Sequence, residues 1–256
     1  MARLTIVKVG GKVVENPDTL NSFLEEFRKI TGNKILVHGG GQTATLLSEK
    51  LGLKTMMVDG RRVTDENTLE IATMVYGGLI NKKIVARLQA MAINAIGLTG
   101  ADLDLVRARK RAVAEVDYGF VGDVESINSR ELKLLLNENV VPVVAPLTHD
   151  GEGQLLNTNA DTMASSLAIE FSDFFNVFLF YCFEKRGVLT DPDDDNSLIR
   201  ELSAGQFMEL KENGTITAGM IPKLENGFNA LRKGVREVLI TNADTFSKGI
   251  GTRLVF

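Results

Sequence analysis

The 256-residue chain has a single cysteine, Cys182. That excludes an internal disulfide and a thiolate metal cluster, and it fits a reducing compartment, the cytoplasm. Only two histidines, His38 and His149, are present, too few for a histidine metal cluster. Long apolar runs are also missing. The most apolar stretch, Phe174 to Phe183, is interrupted by Asn176 and falls far short of the ~20 residues of a membrane helix. The amino terminus meets Lys8 and a glycine pair after a few apolar residues, too short and too interrupted for a signal peptide. Neither sign of charge dominates: 29 Lys and Arg face 33 Asp and Glu, a net charge of −4. This gives no reason to expect nucleic acid or an anionic membrane as partner. Two phosphate-binding signatures, G-x-G-x-x-G and G-x-x-x-x-G-K-[ST], do not occur, so neither a dinucleotide fingerprint nor a Walker-type NTPase is supported.

What is present is an ordinary globular composition, 44% hydrophobic and 24% charged, with 24 glycines. The length suits one large α/β domain or two joined lobes, at roughly 100–200 residues per domain. The β-branched run Leu4 to Val9 reads as a buried strand that stops at Gly10-Gly11. Asn16-Pro17-Asp18 opens a helix carrying Leu20, Phe23, Leu24, Phe27 and Ile30 at helical spacing. Lys34 to His38 is a second strand, ended by Gly39-Gly40-Gly41, and a helix follows over Gln42 to Leu51. Strand, helix, strand, helix implies a right-handed βαβ unit in a parallel sheet. Downstream, the pattern predicts a long helix over Asp65–Met91 capped by Thr64, a strand over Ala95–Leu98 and a hairpin or meander over Asp104–Asn128. It continues with a helix over Glu131–Asn137 capped by Ser129, a strand over Val140–Ala145, a helix over Asp161–Phe171 and an apolar strand over Asn176–Phe183. Helices over Ala204–Glu212 and Ala218–Lys233, a strand over Val235–Thr241 and an edge strand over Thr252–Phe256 complete the reading.

Five glycines lie in two clusters at the ends of successive strands, where parallel sheets bind ligands. Bare backbone N–H groups there suit a phosphate, although tight strand-to-helix turns would use the same residues. Lys8, inside the first strand, is costly to bury unless an anion waits at the strand end or the side chain snorkels from a sheet edge. Asn157-Thr158-Asn159-Ala160-Asp161 opens a helix with more short polar side chains than capping requires. Lys223, after Thr217-Ala218-Gly219-Met220-Ile221-Pro222, sits in a first helical turn, where the dipole disfavours a cation unless a phosphate is shared. Arg61-Arg62 could clamp a carboxylate or face solvent. Asp191 to Asp195 imitates a calcium loop, but Asn196 and Leu202 replace the glycine and glutamate such a loop needs, leaving a solvated turn.

Lys8-Val9-Gly10-Gly11, His38-Gly39-Gly40-Gly41-Gln42, Arg62-Val63-Thr64, Asn157 to Asp161 and Gly219-Met220-Ile221-Pro222-Lys223 occur in this order. With them the chain resembles the amino acid kinase family, from Lys8 to Arg253. Within the family it is most similar to the branch that phosphorylates N-acetylglutamate in arginine biosynthesis. The resemblance implies an α/β fold, a three-layer αβα sandwich around a largely parallel sheet in two lobes. Residues 1–165 would bind the N-acyl amino acid and 166–256 the nucleotide. It implies ATP, accompanied by Mg²⁺ without protein metal ligands, and transfer of phosphoryl to the γ-carboxylate of an N-acyl-L-glutamate. Lys8 and Lys223 would flank the transferring phosphoryl and Asp161 would hold both ammonium groups. Arg62, Asn157, Asn159, Gly40 and Gly41 would bind the acceptor, and Gly10, Gly11, Glu184, Gly187, Gly219 and Met220 the nucleotide. The resemblance also implies a homodimer, with the Asp65–Met91 helix a candidate interface, and no arginine feedback, since the first strand begins almost at Met1.

Two departures stand out. Cys182-Phe183-Glu184-Lys185-Arg186-Gly187-Val188 replaces the family's Thr/Ser-Asp-Val-x-Gly-Val, which bears on adenosine binding. Gly100-Ala101-Asp102 replaces Gly-Lys-Asp in a loop bearing on the acceptor. Arg61, Arg107 and Arg109 offer a second carboxylate site, as a succinyl group would need. The rivals are a sibling kinase acting on carbamate, aspartate, glutamate or UMP, and a non-catalytic ligand-binding regulator that kept the fold.

Overall fold

In β1 (Arg3–Val9) successive side chains are buried on opposite faces: Leu4 and Ile6 feed one core, Val7 and Val9 another. A strand apolar on both sides belongs inside a sheet covered twice. The computed structural model, which describes residues 1–58, 61–191, 193–216 and 219–256 (Arg61 and Asp195 by backbone alone), shows that arrangement. The other strands of the main sheet are β2 (Asn33–His38), β3 (Ala95–Leu98), β4 (Val141–Val144), β5 (Asn176–Phe183), β6 (Glu201–Ser203), β7 (Glu237–Asn242) and β8 (Thr252–Val255). Their order is β6-β8-β7-β5-β1-β2-β4-β3, and every neighbouring pair is parallel except β7 with β8.

Helices cover both faces. Ala160–Phe171, Ile221–Arg232 and Ser129–Asn137 supply Met163, Leu167, Leu224, Phe228 and Leu132 to one core. Pro17–Arg28 and the long helix from Glu66 to Ala90 supply Phe23, Phe27, Val75, Ile84 and Leu88 to the other. These are the three layers and the largely parallel sheet that the sequence implies. The hairpin expected over Asp104–Asn128 is present as Val106–Lys110 and Gly122–Ile127. It joins a second hairpin, Leu147–His149 with Leu155–Asn157, in a separate four-stranded sheet. That second hairpin is too short for its alternation to be read from sequence.

Several element ends differ from expectation. The long helix is capped by Asp65, whose side chain accepts from the Thr68 N–H at 2.8 Å; Thr64 lies outside. Its middle, Thr73–Ile80, takes the wider π-helical turn, a local form frequent at functional sites. Ser129 lies inside its helix and donates to Glu170 at 2.8 Å, while Asn128 holds the cap position. β8 is not an edge: it runs between β7 and the short β6, which was not foreseen. The expected start of the Ala218–Lys233 helix falls on residues outside those described; from Ile221 to Arg232 it is helical. Among the described residues no helix is long and apolar enough to cross a membrane.

Candidate active site

Parallel pairing of β1 with β2, Val9 opposite His38, brings the two glycine clusters to the same edge of the sheet. The clusters touch backbone to backbone: a Cβ on Gly11 would stand 3.3 Å from the Gly40 nitrogen. Not every N–H there faces the site. Gly10 donates to the Cys182 carbonyl at 2.9 Å and Gly39 to the Val9 carbonyl at 3.0 Å, both extending the strand ladder. Gly11 and Gly41 instead open the helices Gly11–Glu15 and Gly41–Lys50, where first-turn N–H groups lack intrahelical acceptors. Gly40 has φ +156°, and a Cβ on it would collide with Ile80 Cδ1, so this position requires glycine.

Beneath the glycines lies a charge cluster. Asn159 caps the helix Ala160–Phe171, accepting from the N–H groups of Asp161 and Thr162 at 2.8 and 3.1 Å. Asp161, in the first turn, faces Lys8 Nζ with Oδ1 at 2.8 Å and accepts from Lys223 Nζ with Oδ2 at 2.9 Å. Lys8 and Asp161 are both buried. Burial pushes the Asp161 carboxyl up, but two ammonium groups outweigh it and hold the carboxyl at about 2. Burial lowers the Lys8 ammonium, and Lys223 adds to that, while Asp161 opposes both. Tyr181, fully buried beside the cluster, donates to the Asp161 backbone carbonyl at 3.2 Å. Two like charges on one carboxylate leave a net positive site, which suits a more highly charged anion.

A cavity of about 200 Å³ opens from this edge, lined by Gly39–Gly41, Arg62, Tyr76, Asn157, Asn159 and Arg111, among others. Arg62 is buried and aimed by three acceptors: the Gly41 carbonyl and Thr45 Oγ1, both at 2.7 Å, and Thr55 Oγ1 at 3.2 Å. Asn157 donates to Thr64 Oγ1 at 3.0 Å. Thus Gly40, Gly41, Arg62, Asn157 and Asn159, expected on the acceptor side, line one space. Tyr76 and Arg111 were not foreseen: the π turn carries Tyr76 against Gly40, and the hairpin register brings in Arg111, which ion-pairs with Asp123. Neither signal is legible in sequence. Arg107 and Arg109 do not reach the cavity; exposed, they face Asp104 and Glu125. The Arg61 side chain lies outside the described residues. The Gly100–Asp102 loop contributes no lining residue; Asp102 accepts from the Thr99 N–H and hydroxyl at 2.6 and 2.8 Å.

A second, more apolar cavity of about 190 Å³ is lined by Phe183, Gly187, Val188, Leu189, Ile216 and Met220, with Lys185 and Thr215. Gly187 is required by packing, since a Cβ there would meet Thr252 Oγ1 and Leu198 Cδ1 at 2.6 Å. Glu184 points elsewhere, to an exposed ion pair with Lys12 at 3.1 Å. Gly219 precedes Met220, and its carbonyl accepts from Lys223 at 3.3 Å. Thr217 and Ala218 lie outside the described residues. The described residues bring together no group of three His, Cys, Asp or Glu fit to hold a metal, and both Asp161 oxygens already face ammonium groups.

A glycine nest, two lysines on one carboxylate, and a polar and an apolar cavity form an arrangement suited to phosphoryl transfer. The model of the amino acid kinase family matches residues 3–242, and the chain belongs to that family. It is 55% identical over 250 residues to the acetylglutamate kinase of Phocaeicola vulgatus, covering 98% of this chain and 97% of the relative. The acetylglutamate kinase of Bacteroides thetaiotaomicron is 54% identical over 252 residues, at 98% of each chain. Among solved structures, Giardia lamblia carbamate kinase bound to AMP-PNP superposes with a TM-score of 0.67 at 14% identity, covering 99% of this chain and 98% of that one, a likeness of fold alone.

Proposed function

We propose that this chain is an enzyme that transfers the γ-phosphoryl of ATP to the γ-carboxylate of N-acetyl-L-glutamate, a step of arginine biosynthesis. The observation that carries this reading is Asp161 clamped by Lys8 and Lys223, Asp161 directly following Asn159 and Ala160 of the polar cavity and Lys223 three residues after Met220 of the apolar one. The close relatives' shared name supports the acceptor.

The nucleophile is a carboxylate, ionised at neutral pH, so no general base is needed. One carboxylate oxygen attacks the γ-phosphorus, the bond from phosphorus to the bridging oxygen breaks, and ADP leaves with that electron pair. The transferring group carries spread negative charge, and its stabilisation is a matter of alignment and neutralisation. Lys8 approaches it from β1 and Lys223 from the helix Ile221–Arg232. Asp161 fixes both ammonium groups and offsets their mutual repulsion. Gly11, Gly40 and Gly41 offer N–H donors, while Gly10, its donor already used, lets the chain pass close. Arg62 takes the acceptor's α-carboxylate, with Asn157 and the capping Asn159 on the acylamino side.

The purine sits in the apolar cavity between Gly187 and Met220, with Gly219 near the phosphates; Glu184, turned to Lys12, does not line it. The 1–165 part thereby serves the acceptor and the 166–256 part the nucleotide. Mg²⁺ bound with the nucleotide would supply charge neutralisation there; among the described residues no acidic cluster stands ready to hold it. The long Glu66–Ala90 helix, with Met74 and Leu79 exposed, is the surface for a homodimer. The buried lone cysteine suits a cytoplasmic enzyme. Arg107 and Arg109, away from the cavity, hold no second acyl carboxylate there, and the relatives' shared name favours acetyl over succinyl.

ADP release with a panel of acceptors tests the assignment. N-acetyl-L-glutamate supports turnover, with a higher kcat/KM than N-succinyl-L-glutamate, and carbamate, aspartate, free glutamate and UMP do not. Preferred turnover of any of these, or no turnover with all, overturns it.

A further inference from the structure

Three consecutive glycines form the turn that carries the Gly40 N–H, and glycine is the residue least able to hold one peptide orientation by itself. A nest that stabilises a transition state must nevertheless be aimed beforehand. The residue before the turn, His38, is fully buried and takes no part in the steps above. Its Nδ1 lies 2.8 Å from the Gly39 carbonyl and its Nε2 lies 3.2 Å from Asn81 Nδ2.

The partners settle which atoms donate. Asn81 Nδ2 also donates to the Val143 carbonyl at 2.9 Å, and Asn81 Oδ1 accepts from Lys82 Nζ at 3.2 Å. A carbonyl accepts only and an ammonium donates only, so the amide cannot be turned around. Nε2 of His38 therefore accepts, and Nδ1 carries the proton and donates to Gly39. Gly97 opposite makes room for this network, since a Cβ on it would collide with Asn81 Oδ1.

In a trans peptide the carbonyl of Gly39 and the N–H of Gly40 point in opposite directions. A carbonyl pulled toward the imidazole turns the N–H away from it, and on that side stands Gly11, 3.3 Å from the Gly40 nitrogen by its missing Cβ. We infer that His38, with its tautomer set by Asn81, is a positioning residue that aims the Gly40 N–H at the transferring phosphoryl group. The inference rests on the phosphoryl transfer proposed above.

The test exploits two amides that each copy one ring nitrogen. Asparagine at position 38 brings a donor near the place of Nδ1; glutamine brings its amide near Nε2 and leaves the Gly39 carbonyl without a donor. His38→Gln lowers kcat by about a hundredfold with KM for both substrates little changed. His38→Asn recovers kcat to within about threefold of wild type. Equal kcat for the two variants, or losses that appear in KM, overturn the inference. Nitrogen-15 spectra of the wild-type imidazole need no variant to fold: they show the Nδ1–H tautomer at neutral pH, and an Nε2–H tautomer or an imidazolium contradicts it. Wild-type protein that phosphorylates no acceptor refutes the proposed function instead, leaving the tautomer as the separate measure of the lock.

Discussion

Lys8 and Lys223, from opposite ends of the chain, meet across one carboxylate, each ammonium taking one oxygen of Asp161 at 2.8 and 2.9 Å. Lys8 is at the heart of the sheet and Lys223 is in the first turn of a late helix, so their meeting depends on the whole fold. The arrangement is unfavourable for stability alone, since buried Lys8 shares its one counter-ion with half-buried Lys223 and an excess of positive charge is left. It makes chemical sense when a phosphoryl group supplies the missing charge.

The two lysines therefore serve turnover more than binding. Lys8→Ala and Lys223→Ala each lower kcat by roughly 10²–10³-fold, with KM for N-acetyl-L-glutamate changed far less. Steady-state kinetics with both substrates varied decides; near-normal turnover in either variant removes that lysine from the mechanism.

Asp161→Asn leaves Lys8 buried without a counter-charge. Breaking a buried ion pair costs about 3–5 kcal/mol, so denaturant midpoints fall for Asp161→Asn by more than for Lys223→Ala, whose loss leaves the Lys8 pair intact. The reverse order contradicts the geometry.

Acid lowers stability through two groups. His38 is held to about 4 by burial against an ordinary 6.5, so the unfolded chain takes up a proton first as pH falls. Stability from His38 is complete above about pH 6.5 and is lost on the way down to about 4, on the order of 3 kcal/mol. Asp161, at about 2 against 3.8, adds a further loss below pH 3.8. Melting temperatures across this range show the decline, and His38→Asn flattens its upper part. A wild-type Tm that is constant from pH 7 to 4 contradicts the buried neutral imidazole.

Much of this was legible in the sequence. Both glycine clusters, Lys8, the Asn157–Asp161 segment and Lys223 are recognisable by residue type and order, and strand–helix alternation places the first of these at one sheet edge. What could not be read depends on tertiary register. Tyr76 reaches Gly40 because the helix widens into a π turn, and nothing local in Thr73–Ile80 announces that. Arg111 enters the cavity just past the strand Val106–Lys110, where its N–H still pairs with the Val121 carbonyl, whereas Arg107 and Arg109 within that strand point elsewhere. Gly10 and Gly11 look equivalent in sequence, yet β5 captures the N–H of Gly10. β8 reads as an edge because the three residues of β6 that cover it carry no recognisable strand signal.

Gly40→Ala tests whether the turn tolerates any side chain where it meets the long helix. The substitution meets both a positive φ and the Ile80 side chain, and it abolishes turnover while lowering stability by about 1–3 kcal/mol. Gly219→Ala, with nothing among the described residues within 4 Å of its added carbon, leaves stability unchanged to within about 0.5 kcal/mol. Comparable melting temperatures for the two variants contradict this account of the turn.

The most direct test of the central claim is to trap the product. With ATP, N-acetyl-L-glutamate and hydroxylamine, the wild-type protein yields a hydroxamate in step with ADP, as an acyl phosphate demands, and Lys8→Ala yields far less. ADP formed without hydroxamate, or hydroxamate formed equally by the Lys8→Ala variant, contradicts phosphoryl transfer to a carboxylate at this site.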